Sequence, residues 1–335
     1  MDLEITLFNL SAQQMVSTTV SVNPNNELDV DINALVQQAC VVNPASCAAF
    51  ADVDGSGVID SYGIVKIEVL NPTPDLQLLG RLTNYRPNTD GTFSFAFARE
   101  LHPASTGDTY AVSNTYDVQG LNRLVINWSE IIYLGTPGSN APGTFTVNLY
   151  TQAGVLANTQ TITLNPLEER DIQAGHEIID SATGSVVIEA AQPNSIIAQS
   201  MNYILDCNAN GVQTAYVTLA REPGRRSQVG TGNSFLDMDN LLRAVSTTSS
   251  LTNTNLGLQT FVGEVSATSF PLLANGCHDV DISNDPTITF PANRYGILDT
   301  QTNNSSESIM DMLRKRSKTE AGLPKFDFII PTLVR

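Results

Sequence analysis

The chain has 335 residues, 41% hydrophobic and only 15% charged, with a formal net charge of −17. That apolar content excludes a disordered chain, and the length suggests roughly two or three domains. So acidic a body repels phosphate backbones, which excludes nucleic acid as a partner, and no run of about 18 apolar residues is present to span a membrane as a helix.

The charge is uneven. Arg314, Lys315, Arg316, Lys318, Lys325 and Arg335 against Glu320 and Asp327 give residues 314–335 a net +4, so residues 1–313 carry −21. A basic end on an acidic body suits head-to-tail self-association; a solvated end is the plainer reading. Strand-like sequence starts at Leu3, and Met1-Asp2-Leu3-Glu4 has neither a basic nor an apolar leader region. The expectation is a mature exported form with its signal peptide removed, extracellular or at the cell surface.

In chain order, the first feature is a repeat. Ile5–Ile32 (ITLFNLSAQQMVSTTVSVNPNNELDVDI) matches Val147–Ala174 (VNLYTQAGVLANTQTITLNPLEERDIQA) without a gap, at an offset of 142. Ile64–Pro72 (IVKIEVLNP) matches Ser185–Pro193 (SVVIEAAQP) at an offset of 121. Asp90-Gly91 then corresponds to Asn210-Gly211, and Arg99-Glu100 to Arg221-Glu222. Thr287–Leu298 (TITFPANRYGIL) resembles Thr161–Ile172 and marks a third, partial copy. The matched stretches alternate apolar and polar residues, the pattern of strands with one buried face, and the Asp-Gly and Asn-Gly pairs between them suit hairpins. The expected fold is all-β: tandem antiparallel β-sandwiches, immunoglobulin-like or jelly-roll-like, with a partial third unit. The expected domains are 1–135, 136–250 and 251–335, the last carrying the C-terminal tail.

The two offsets differ by 21 residues, so the first domain carries an insertion, placed at 37–60. Gln37–Ala49 is expected to form a short helix capping the sandwich, pinned by a Cys40–Cys47 disulfide if the protein is exported; two buried thiols are the alternative. The rest of the insertion is FADVDGSGVID, residues 50–60. Asp52, Asp54 and Ser56 alternate, Gly57 allows a sharp turn, Val58 offers a carbonyl and Asp60 follows at the ninth position. Such spacing converges short oxygen ligands on one hard cation.

This loop resembles the Asp-rich calcium loops of the EF-hand, dockerin and thrombospondin type 3 class. The resemblance implies a structural Ca²⁺ held by Asp52, Asp54, Ser56, Val58 and Asp60. Position twelve holds Gly63 in place of a bidentate Glu, and SYGIVKIEV after it reads as a strand, so no EF-hand helix pair is expected. An acidic turn holding only water is the alternative.

Catalytic patterns are missing. His102, His176 and His278 lie far apart, and no HExxH, GxSxG, Walker A or GxGxxG occurs. Cys277 and His278 are adjacent, and adjacent strand residues face opposite sides, which disfavours a dyad. Cys277 reads as a loop thiol or as bridged to Cys207. Trp128, in LVINWSEIIYLG, suits a buried strand, and no array of aromatic platforms marks a sugar site. The expectation is a protein that is not an enzyme.

The tail closes the chain. SIMDMLRKRSK (308–318) reads as a short amphipathic helix or hinge, and KFDFII, bracketed by Pro324 and Pro331, as a short edge strand. Phe326, Phe328, Ile329, Ile330 and Leu333 would pack on the chain's own domain or complete the incomplete third unit of a neighbour by strand donation. Together these features point to a structural subunit of an extracellular assembly: a filament, sheath, surface layer or appendage that binds its own kind. The alternatives are a surface adhesin binding glycans or other ligands and, more weakly, a virion coat protein.

Overall fold

A computed structural model describes residues 1–9, 12–24, 26–42, 44, 63–73, 78, 81–87, 93–100, 110–115, 123–133, 135, 139–173, 184–190, 196–206, 211–219, 227–233, 238–246, 250–288, 295–302, 309–317, 327–331 and 333–334. Among them the regular structure is antiparallel sheet with a short helix, so the all-β expectation holds. The chain divides into two compact units, one of Met1–Gly80, Ile132–Gly143 and Thr163–Arg170, the other of Arg81–Ile131, Thr144–Ile162 and Asp171–Arg335. These bounds are not those of the three expected domains.

The chain opens with β1 (Asp2–Asn9) and β2 (Gln14–Ser21), followed by α1 (Ile32–Val42), β3 (Gly63–Val69), β4 (Arg81–Pro87) and β5 (Phe93–Glu100). β1 is central in the order β2-β1-β3, and its alternation buries Leu3, Ile5 and Leu7. Asp31 caps α1, its carboxylate accepting the Ala34 amide at 3.2 Å. The helix lays Val36 against Leu7, with Val16 and Val65 packed around them. It therefore begins five residues before the expected Gln37 start.

The second series is β6 (Tyr110–Thr115), β7 (Arg123–Tyr133), β8 (Gly143–Thr151), β9 (Leu156–Leu164), β10 (Glu169–Gln173), β11 (Gly184–Ala190), β12 (Ile196–Asp206) and β13 (Gly211–Leu219). They form sheets of order β9-β8-β11-β6 and β10-β7-β12-β13. The third series is β14 (Ser227–Asn233), β15 (Met238–Ser246), β16 (Thr252–Thr260), β17 (Val265–Leu272), β18 (Cys277–Asp281), β19 (Tyr295–Thr302), β20 (Ile309–Ser317), β21 (Asp327–Pro331) and β22 (Leu333–Val334). Its sheets, β17-β16-β19-β14-β22 and β18-β15-β20-β21, repeat the order of the second series with β22 added. Leu242 and Val280 from one sheet and Leu256, Leu258, Leu272 and Leu298 from the other share one core, so these two sheets pack face to face.

The two sequence offsets map paired positions of one sheet onto paired positions of another. Thr6 stands opposite Lys66, and Asn148 opposite Val187; 6 + 142 is 148 and 66 + 121 is 187. A hairpin followed by a strand returning to its first member thus occurs as β1-β2-β3, β8-β9-β11 and β16-β17-β19. The hairpin turn is the same each time. The amides of Asn9, Thr151 and Thr260 donate to the carbonyls of Gln13, Val155 and Glu264 at 3.0, 2.9 and 2.8 Å. The side-chain oxygens of the same three residues accept the amides of the same partners at 2.9, 3.2 and 3.1 Å. Ala12, Gly154 and Gly263 close these turns at φ of 63°, 77° and 88°, the left-handed residue of a three-residue hairpin loop.

Three expectations are corrected. The third copy is not partial: its motif runs from Thr252 to Thr302, and residues 295–298 open β19 instead of continuing a β10-like segment. Residues 227–246 pair with β18, β19 and β20, not with the second series to which 136–250 assigned them. Residues 309–317 form a strand between β15 and β21 where a helix or hinge was expected, because two flanking ladders outweigh a weak helix preference.

The turns supply a graded test. Gly263→Ala meets nothing within 4 Å and should lose only the left-handed penalty of about 1–2 kcal/mol. Gly154→Ala places its Cβ 1.8 Å from the Ala274 carbonyl oxygen and should be markedly worse. Ala12→Gly should stabilise by up to about 1 kcal/mol, strain relief exceeding the added chain entropy. Urea unfolding of the three variants checks that order.

Candidate functional site

A polar cleft lies beside β18. It encloses about 270 Å³ and is lined by Phe270, His278, Asp279, Asp281, Asn284 and Asp285 among others. In β18 Cys277 and Val280 are buried, and His278 is half-exposed at the cleft. The His278 ring stacks on Phe270 with centroids 4.8 Å apart and planes at 19°. Cys277 is a buried thiol, which settles its state against a bridge, and it faces away from His278, so the two form no dyad.

The acidic rim is occupied by its own loop. One Asp281 oxygen accepts the Ser283 and Asn284 amides at 3.1 and 3.2 Å, and the other accepts the Asn284 side chain at 2.7 Å. Asp285 accepts the Thr287 amide at 2.7 Å and its hydroxyl at 2.5 Å. Hydrogen bonds to the charged form hold the Asp285 carboxyl below the usual carboxylate range, the Thr287 hydroxyl contributing most. Both oxygens of Asp281 and one of Asp285 are thus engaged by the turn itself. Among the described residues no group of three or more His, Cys, Asp or Glu is placed to hold a metal.

The other sequence-marked residues fall as follows. Asp52, Asp54, Ser56, Val58 and Asp60 lie outside the described residues, and so do Cys47, Cys207 and Phe326. Cys40 is disulfide-bonded, and with Cys277 a thiol its partner is Cys47 or Cys207. Phe328, Ile329 and Ile330 sit in β21 opposite Lys315, Arg314 and Leu313, and Leu333 sits in β22 opposite Val229. The described tail is thus paired within its own chain. Trp128 lies in β7.

One surface feature carried no sequence signal. Phe261 and Tyr295, both more than half exposed, stack at 4.5 Å and 7°, beside exposed Val262 and Ile297. They are 34 residues apart and meet because Tyr295 opens β19 while Phe261 follows β16, its amide donating to the Tyr295 carbonyl at 3.3 Å.

No protein-family model matches the chain, and no curated protein matches it. A solved structure of Bacteroides uniformis beta-glucuronidase 2, covalently bound to cyclophellitol-6-carboxylate aziridine, aligns at a TM-score of 0.17 and 8% identity over 75% of this chain. The chain spans about a third of that protein, 32% of its length, and so low a score carries no argument.

Thr287→Val should return the Asp285 carboxyl toward the ordinary carboxylate range. A folded carboxyl held low stabilises above its unfolded pKa and loses that contribution as pH falls through the folded one. Carboxyl-carbon NMR titration should show the Asp285 midpoint move up in the variant.

Proposed function

We propose that this protein is a structural subunit of an extracellular or cell-surface assembly, a filament, sheath, surface layer or appendage, built from successive sandwich copies and associating with its own kind. The observation that carries the reading is the recurrence of one hairpin-and-strand motif, in the same order and with the same turn, along a single chain. Repetition of a frame without repetition of a reactive site suits a spacer or building block, as function resides in sites and not in folds. The low charge and the disulfide at Cys40 agree with an exported protein. Strand donation by the tail is one route of association.

The stacked Phe261–Tyr295 pair favours a second reading, a surface adhesin, since exposed rings are how proteins engage sugar faces. Negative-stain microscopy of the purified chain separates the two. Regular polymers are expected, and they should vanish when Pro324–Arg335 is deleted if the tail donates a strand. A persistent monomer that binds glycans, and loses them in Tyr295→Ala, would replace the assembly reading with the adhesin one.

The Asp52–Asp60 loop is proposed as a structural Ca²⁺ site that steadies the segment between α1 and β3. Calorimetry with calcium and with chelator should show a lower melting temperature in chelator, abolished as a difference by Asp52→Asn with Asp54→Asn. Superimposable curves for the unaltered chain would remove the metal.

A further inference from the structure

β3 is the outermost described strand of its sheet. In the two equivalent sheets that place is taken: β6 pairs with β11, Val112 opposite Val187, and β14 pairs with β19, Val229 opposite Asp299. Burial follows. Val186 and Ile188 of β11 are 0% exposed, whereas Val65 and Ile67, 121 positions earlier, are only half-buried.

The direction of the backbone groups is fixed. The Leu70 amide donates to the Asp2 carbonyl at 3.0 Å, so in β3 the even-numbered residues turn their amides and carbonyls to β1. Those of Val65, Ile67 and Val69 point the other way, out of the sheet. The side chains of Lys66 and Glu68 stand on the solvent face, 46% and 54% exposed and 2.7 Å apart. Lys66 is the only Lys or Arg in residues 1–80, against ten acids.

We propose that this edge is an interface between two copies of the chain, β3 pairing antiparallel with β3 of a second copy about a two-fold axis at Ile67. In that register Ile67 meets Ile67 and Val65 meets Val69, all residues whose backbone groups face outward, as hydrogen-bonded pairs require. The intervening positions oppose Lys66 with Glu68 of the second copy and the reverse, in the pairs where side chains come closest. An axis one residue away, at Lys66, would use the same outward groups by pairing Val65 with Ile67, but it sets lysine on lysine in a close pair and Glu68 against Ile64, so the charges select the axis at Ile67. An edge lysine ordinarily deters strand addition; here Glu68, two residues on, makes the same strand its own complement. The contact is isologous and closes as a dimer. It deepens the self-assembly reading and rests on it only in taking a second copy as the partner; the tail has no part in it.

Sedimentation velocity of the full chain over a micromolar concentration series tests this. The unaltered chain should show a dimer. Lys66→Glu, an exposed change that sets acid against Glu68 twice, should weaken it about tenfold or more. The double variant Lys66→Glu with Glu68→Lys should restore it, and Ile67→Pro, which removes an outward amide, should abolish it. A monomer throughout the series, equal dimerisation in Lys66→Glu, or no recovery in the double variant would overturn the interface. Polymers that persist in Lys66→Glu while the dimer step is lost would support the edge pairing and leave the assembly reading standing; loss of polymers only on deleting the tail, with every β3 variant sedimenting alike, would sink the edge and spare that reading.

Discussion

Close approach of backbone to a glycine sets the register on which each motif depends. Gly63 and Gly184 begin the third strand of their motifs, Gly296 is the second residue of its own, and the three stand opposite the turn residues Asn9, Thr151 and Thr260. A Cβ on Gly63 would sit 2.1 Å from the Phe8 carbonyl oxygen, and one on Gly296 2.7 Å from that of Gln259. Only the absent side chain lets the strand start so close to the hairpin tip. With that end pinned, alternation decides the rest. In β16, Leu256 and Leu258 are buried and Asn255 and Gln259 exposed, and a slip of one residue would exchange those faces.

Part of this was legible in the residues. The ungapped match of Ile5–Ile32 on Val147–Ala174 is the hairpin itself, and its offset reproduces the paired positions because the turn side chains, Asn9 and Thr151, make the same bonds. Asp90-Gly91 does fall in sequence between the paired strands β4 and β5, and Asn210-Gly211 at the turn into β13, Gly211 pairing with Asp206 of β12. The third motif was hidden because its apolar face is kept by different residues. Leu273-Ala274 stands where the second copy has Asn165-Pro166, yet the Gly276 amide bonds the Leu273 carbonyl as that of Glu168 bonds Asn165. Turn geometry survived where turn sequence did not. The exposed Phe261–Tyr295 stack was not legible at all, since nothing local announces a contact made across a strand pair.

Loops vary where the frame does not. The segments leading into β3, β11 and β19 differ in length, and each reaches the glycine paired with the hairpin's turn residue at the first or second position of its strand. The Asp-rich stretch belongs to the first of these segments and the Asp281–Thr287 turn to the third. A scaffold that fixes both ends of a segment tolerates change between them, which is why variable and functional residues gather there. The third segment shows one outcome: the Asp281 and Asp285 carboxylates accept bonds from neighbouring amides and side chains of their own turn.

The two routes to self-association differ in what must be given up first. Donation of the tail would break five paired positions, Met312 through Arg316 with Asp327 through Pro331, and the Val229–Leu333 contact that covers the edge of β14. Those ladders are regained only after capture by a neighbour, so a kinetic barrier precedes any gain. The edge of β3 loses nothing on pairing except water at three residues whose amides and carbonyls already point outward. Where both routes exist, the edge contact forms first and the tail exchange, slower and open-ended, extends it.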